Sequence, residues 1–140
     1  MNNDQIMKDI LLSAKTIASV GVSSNPAKDS YSVVEYLKAQ GYRVIPVNPT
    51  ASEILGEKSY PDLSSVPEKI DVVQIFRKPE DVPPVVDEAI KVGAKAVWMQ
   101  EGIVNEEAAI KARSAGLRVV MDACMRVNHR RLIGAKPLQI

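Results

Sequence analysis

The chain has 140 residues, enough for one domain with a sizeable buried core. Its 18 Lys and Arg nearly cancel 17 Asp and Glu and form no basic tract; with a single Phe and a single Trp, this argues against a nucleic-acid-binding surface. No apolar run approaches the roughly 20 residues that span a bilayer. The polar start Met1-Asn2-Asn3-Asp4-Gln5 lacks the order of a signal peptide, and one Cys forms no internal disulfide, so a cytoplasmic location is expected.

Residues 4–15 read as a leading amphipathic helix with Ile6, Ile10 and Leu11 on one face. Five short β-rich runs then alternate with helical segments. The runs are Ile17–Val22, Tyr42–Val47, Ile70–Phe76, Ala94–Met99 and Leu117–Met121, and each is mostly apolar rather than alternating. That pattern suits parallel strands covered on both faces. The helix after the first run carries a capping box at Ser32-Val33-Val34-Glu35, with Ser30 as a cap one step earlier, and Gly41 closes it. The stretch from Asn48 to Lys69 is irregular, with Pro49, Pro61 and Pro67 and a short strand near Glu57–Tyr60. Pro79-Glu80-Asp81 opens the next helix and Gly93 ends it. Asn105-Glu106-Glu107 starts another that Gly116 stops, and a last helix covers Cys124–Ile133. The expected architecture is a single doubly wound α/β domain of Rossmann-like type over residues 1–140, with five or six parallel strands.

In such sheets ligands sit at the C-terminal strand edge, near the switch in strand order. Ile17–Val22 followed by Ser23-Ser24-Asn25-Pro26-Ala27-Lys28-Asp29-Ser30 is a strand, a Gly and small polar residues, then a helix start. Free backbone N–H groups at the positive end of a helix dipole suit phosphate there. The turn is unorthodox, because Ser23 and Pro26 stand where a G-x-G-x-x-G would carry further Gly. The second strand ends in Val47-Asn48-Pro49 without the carboxylate that takes the ribose hydroxyls of NAD. Lys28, Arg43 and Arg77 supply positive charge, so a ligand with more phosphate than NAD fits better. Arg77-Lys78 also reads as a solvated strand end.

Gly21–Pro26, Gly41–Pro49 and Ile54–Leu63 together resemble the stand-alone CoA-binding protein family, related to the CoA-binding domain of the succinyl-CoA synthetase alpha subunit. The resemblance continues through Asp71-Val72-Val73, Gly93–Gly102, Asp122-Ala123-Cys124 and His129–Leu132. It implies a Rossmann-like domain that binds coenzyme A or an acyl-CoA. The family's phosphate loop maps onto Gly21, Ser23, Ser24, Asn25 and Lys28, and its second turn onto Val47, Asn48 and Pro49. The loop along the pantetheine arm maps onto Gln100, Glu101 and Gly102, with Arg77 as a further candidate contact. Val47 and Pro49 would wall the adenine, and Ser23 and Ser24 would donate to phosphate oxygens. The synthetase loop is richer in Gly. The phosphorylated His of the synthetase stands on a second domain, and His129 does not match it by position, so acyl-CoA formation is not expected.

Cys124 reads either as a small buried apolar residue at a helix start or as a reactive thiol at the sheet edge. The second reading makes the chain a small nucleotide-dependent oxidoreductase or acyl-transfer enzyme, or sets up disulfide exchange with the CoA thiol. Asp122, Cys124 and His129 fall short of a zinc ligand set, and His129, beside Arg130 and Arg131, is expected at the surface or an interface. Glu101 is expected to orient backbone rather than act as an acid. Leu138-Gln139-Ile140 is a candidate contact for a homo-oligomer or a protein partner, which leaves a CoA-responsive regulatory module as a third role.

Overall fold

In the computed structural model, which describes residues 2–135, the opening helix α1 runs Asn3–Ser13. The Asn2 side chain caps it by accepting from the Gln5 N–H, and Met7, Ile10 and Leu11 are its buried face; Ile6 is only half-buried. The chain then alternates β1 (Thr16–Val20), α2 (Asp29–Ala39) and β2 (Arg43–Val47). A two-stranded hairpin, β3 (Glu53–Ile54) and β4 (Glu57–Lys58), fills part of the irregular stretch. After it come β5 (Val72–Ile75), α3 (Val82–Lys91), β6 (Ala96–Met99), α4 (Glu106–Ser114), β7 (Arg118–Val120) and α5 (Met125–Leu132).

The five main strands form one parallel sheet in the order β2-β1-β5-β6-β7. The expected short strand near residues 57–60 does not join it. Lys58 pairs back on Glu53, and Tyr60 makes only a single parallel bridge to Val47. Pro46 lies in β2 at the sheet edge, where a missing ladder donor costs least.

Every residue of β5 and β6 is buried, as an apolar run without alternation requires. Side chains on one sheet face (Val73, Val97, Met99) pack on Val82 and Val86 of α3 and Ala108, Ala109 and Ala112 of α4. Those on the other face (Ile17, Val72, Trp98) pack on Met7 and Ile10 of α1, Val33, Val34 and Leu37 of α2, and Met125 of α5. The Ala stripe of α4 lets that helix lie close to the sheet, and Asn105 caps it through the Ala108 N–H.

At the N-terminal sheet edge, Asp71 ties three strands together. One carboxylate oxygen accepts from the N–H groups of Lys15 and Thr16 at 2.9 and 3.0 Å, and Lys95 lies 3.5 Å from the other. Burial works to raise this carboxyl's pKa, but the two N–H donors and Lys95 outweigh it and hold it below the usual value. Arg43 sits at this same edge and binds Glu57 and, in bidentate fashion, Glu68. It is therefore neutralised far from the strand C-termini, and the expectation that it serves a phosphate is corrected.

Candidate functional site

The chain passes from β1 outward to β2, then returns to β5 on the other side of β1, so the strand order switches between β1 and β5. At the C-terminal edge of this switch lies a cleft of about 450 Å³. Asp29, Ser30 and Val33 of α2, Phe76 and Arg77 after β5, and Gln100, Glu101 and Ile103 after β6 form its walls, closed by Cys124, Arg126 and Val127 at the start of α5.

Gly21 makes the approach of the β1 and β5 exits possible. It has φ +88°, and a Cβ there would come 2.6 Å from the Phe76 carbonyl oxygen. Its N–H donates to Val47 O and the Phe76 N–H to Val20 O, so the turn is pinned on both sides.

The loop beyond Gly21 is stiffened by its own side chains. Ser23 donates its N–H to the Ser30 hydroxyl oxygen, Asn25 its N–H to Ser23 Oγ, and Ala27 its N–H to Asn25 Oδ1, each at 3.0 Å. These bonds correct the expected capping of α2. Ser30 is drawn toward Ser23, Ser32 donates to the Asp29 carbonyl, and the helix starts after Lys28 without any side-chain cap. The backbone N–H groups of Ser24, Asp29, Ser30 and Tyr31 meet no acceptor among the described residues. The free donors therefore sit mostly at the helix start, beside the cleft, while Ser24, Asn25 and Lys28 stand exposed outside its lining.

At the β2 end, Val47 is only 2% exposed and packs in the core, so Pro49, exposed, is the apolar group presented there. The Asn48 amide donates to Val22 O at 2.9 Å and accepts from the Thr50 N–H and hydroxyl. It braces the first loop, and one amide hydrogen remains for a ligand. The Gly102 N–H donates to Asp122 Oδ1 at 2.7 Å, which makes Asp122, rather than Glu101, the residue that holds this turn. Glu101 is exposed at the rim.

Three of the candidate residues thus meet in the cleft, namely Arg77, Gln100 and Glu101. Arg126 is a contributor that the sequence reading missed. Its Nη1 donates to Ser32 Oγ at 3.0 Å, and its Nε is buried with no partner among the described residues. The available signal was an Arg in the first turn of a helix that begins at the C-terminal strand edge. Cys124 is half-buried in the wall at the N-cap of α5 and makes no side-chain capping bond.

His129 corrects another expectation. It is 4% exposed rather than on the surface, its Nδ1 lies 2.7 Å from the Tyr36 hydroxyl, and Tyr36 and Tyr42 meet its ring edge-on. Burial, and then the neighbouring Tyr36, push the Tyr42 hydroxyl up to about 12. Tyr36, Tyr42 and His129 are not part of the cleft lining.

The cleft's guanidinium groups, Arg77 and Arg126, are matched formally by the carboxylates of Asp29 and Glu101. What the cleft offers an anion is therefore the orphan N–H groups and the positive ends of α2 and α5, each equivalent to about half a unit charge. The sequence profile described as the CoA binding domain matches residues 15–130. The chain belongs to the CoA binding domain family. The domain is 41% identical over 123 residues to the protein YneT of Bacillus subtilis, covering 88% of this chain and 91% of that one. A hypothetical protein from Pyrococcus horikoshii superposes on the domain with TM-score 0.91 at 45% identity, covering 95% of this chain and 94% of that one. The ADP-forming acetate–CoA ligase II of Archaeoglobus fulgidus is 34% identical over 95 residues, 66% of this chain but only 14% of the ligase. No helix among the described residues is long and apolar enough to cross a membrane. The Leu138–Ile140 contact lies outside the described residues.

Proposed function

We propose that this protein is a binding module for coenzyme A or an acyl-CoA, with no chemistry of its own. The ADP end sits on the N-terminal turn of α2, at the β1/β5 switch. The pantetheine arm crosses the ends of β5 and β6 toward Gln100 and Gly102. One observation carries this reading. The N–H groups of Asp29, Ser30 and Tyr31 have no acceptor among the described residues and stand beside a cleft whose lining also includes Arg77 and Arg126. These groups fit a polyanion, since backbone donors at a helix start bind phosphate without a dedicated side chain. Asn48 and Pro49 at the end of β2, and the loop residues Ser23, Ser24, Asn25 and Lys28, would meet the nucleotide from the outer side. The missing carboxylate after β2 makes NAD a poor match.

Calorimetric titration tests the reading. CoA should bind at one site, dephospho-CoA more weakly and NAD more weakly still. No heat with CoA, or equally weak heat with all of them, overturns it. A second reading is favoured by the place of Cys124 in the same cleft wall: a nucleotide-dependent oxidoreductase or acyl-transfer enzyme with this thiol as the reacting group. A thiol reagent would then label native Cys124 at neutral pH, and CoA would slow the labelling. A thiol that reacts only after denaturation would count against it.

A further inference from the structure

A polar thread runs through the middle of an otherwise apolar sheet. Ser19 in β1 and Gln74 in β5 are fully buried, and Gln100, at the end of β6, is 6% exposed. The Ser19 hydroxyl donates to Gln74 Oε1 at 2.6 Å, and Gln74 Nε2 donates to Gln100 Oε1 at 3.1 Å. The first N–H of α5, that of Met125, donates to the same Gln100 oxygen at 3.0 Å. A backbone N–H can only donate, so the atom facing it must be the carboxamide oxygen. The other end of the Gln100 amide is then fixed as a donor. Its Nε2 has no acceptor among the described residues, and Gln100 lines the cleft beside Cys124 and Ile103.

Buried amides are costly unless bonded, and apolar side chains would fill these strand positions without that cost. What the thread achieves is orientation: an N–H donor held at one place in the cleft wall.

We propose that Gln74 and Ser19 are positioning residues: they fix Gln100, on the loop that the resemblance lays along the arm, so that its Nε2 is held as a donor to a carbonyl oxygen of the bound thiol cofactor, either a pantetheine amide or an acyl thioester. The proposal rests on the CoA reading of the cleft. Ile103 and the Phe76 side of the cleft give the arm's methylene groups an apolar track, and Gln100 supplies the polar contact that sets its register.

The test compares ligands with and without the arm. Adenosine 3′,5′-bisphosphate carries the nucleotide end only, whereas CoA adds the amides and acetyl-CoA the thioester. Gln100→Met keeps the volume and removes the donor. Calorimetry should show acetyl-CoA binding, and CoA binding as well where the contact is a pantetheine amide, weakened about 5- to 10-fold, the range for one lost hydrogen bond, with the bisphosphate unchanged within about 2-fold. An equal loss for CoA and acetyl-CoA assigns the contact to a pantetheine amide; a larger loss for acetyl-CoA assigns it to the thioester.

Gln74→Leu, which touches no ligand, should reproduce the selective loss, and Ser19→Thr, which keeps the hydroxyl, should not. Melting curves of each variant separate this pattern from a loss of fold. Equal weakening of all three ligands, or no weakening of either CoA or acetyl-CoA, overturns the proposal. If the unmodified protein binds neither CoA nor the bisphosphate, it is the CoA reading that fails.

Discussion

Gly21→Ala should be among the most damaging single-methyl additions in this protein, and the structure says why. The residue has φ +88°, a conformation that costs an L side chain about 1–2 kcal/mol. The new Cβ would also stand 2.6 Å from the Phe76 carbonyl oxygen, 3.1 Å from its carbon and 3.3 Å from Arg77 Cδ. The oxygen belongs to backbone that cannot swing aside freely, because the Phe76 N–H is bonded to Val20 O. Overpacking of this kind adds about 1–3 kcal/mol, so the total should be about 3 kcal/mol, or a fall of about 10 °C in Tm for a chain of this size.

Gly41→Ala is the internal control. Its φ is +103°, but nothing among the described residues lies within 4 Å of the added Cβ, so only the conformational cost of about 1–2 kcal/mol applies. Urea denaturation of both variants, with unchanged m-values, isolates the contact with Phe76. Because that contact moves the strand exit leading to Arg77, Gly21→Ala should also weaken CoA binding at a temperature where it remains folded, and Gly41→Ala should not. Equal stability losses for the two variants would refute the idea that a close approach of two strand exits builds the cleft.

The remaining predictions concern charge. Ser24→Asp places a carboxylate beside the proposed diphosphate; at about 5 Å in a water-rich setting the repulsion is about 1–2 kcal/mol, roughly a 5- to 30-fold loss of CoA affinity that shrinks as salt is added. Unchanged affinity in calorimetry would remove Ser24 from the site, and unchanged melting is expected, since its side chain is exposed. Asp71→Asn should lower stability at pH 7 by about 1–3 kcal/mol, because it weakens a carboxylate that accepts two backbone N–H groups. The carboxyl's folded-state pKa lies below its ordinary 3.8, so its contribution is complete above that value and is lost as pH falls through the folded-state pKa. Urea melts should therefore show the gap between the two proteins closing in strong acid; a gap independent of pH would exclude the ionised form as its source.

The sheet was legible because each strand is a compact apolar run bounded by turn residues, and parallel strands buried on both faces need nothing more subtle. The Asn105 cap was legible for the same local reason. What escaped depends on partners distant in sequence. Ser30 is a good N-cap residue, but the Ser23 N–H competes for its oxygen, and that competition is decided by how the loop folds back. His129 sits between two Arg-bearing turns of a polar helix, yet Tyr36, 93 residues earlier, and Tyr42 close over it. Arg43 looked available until Glu57 and Glu68 were brought to it. Within the candidate site, the first loop drew notice through its sequence, while the cleft lies beside it toward β5 and β6. The reason is that the loop's own hydroxyl and amide groups take up several of its N–H donors, leaving those at the start of α2. Gln74 and Gln100 were visible as polar residues in or next to apolar strands, but their alignment with Ser19 requires the strand register.

A crystal structure of the protein with CoA tests the central claim most directly. The account predicts diphosphate oxygens within hydrogen-bond reach of the Asp29, Ser30 or Tyr31 N–H groups, with the arm passing Gln100. A cofactor bound elsewhere, with the crevice between β1 and β5 filled by the protein's own side chains, would contradict it.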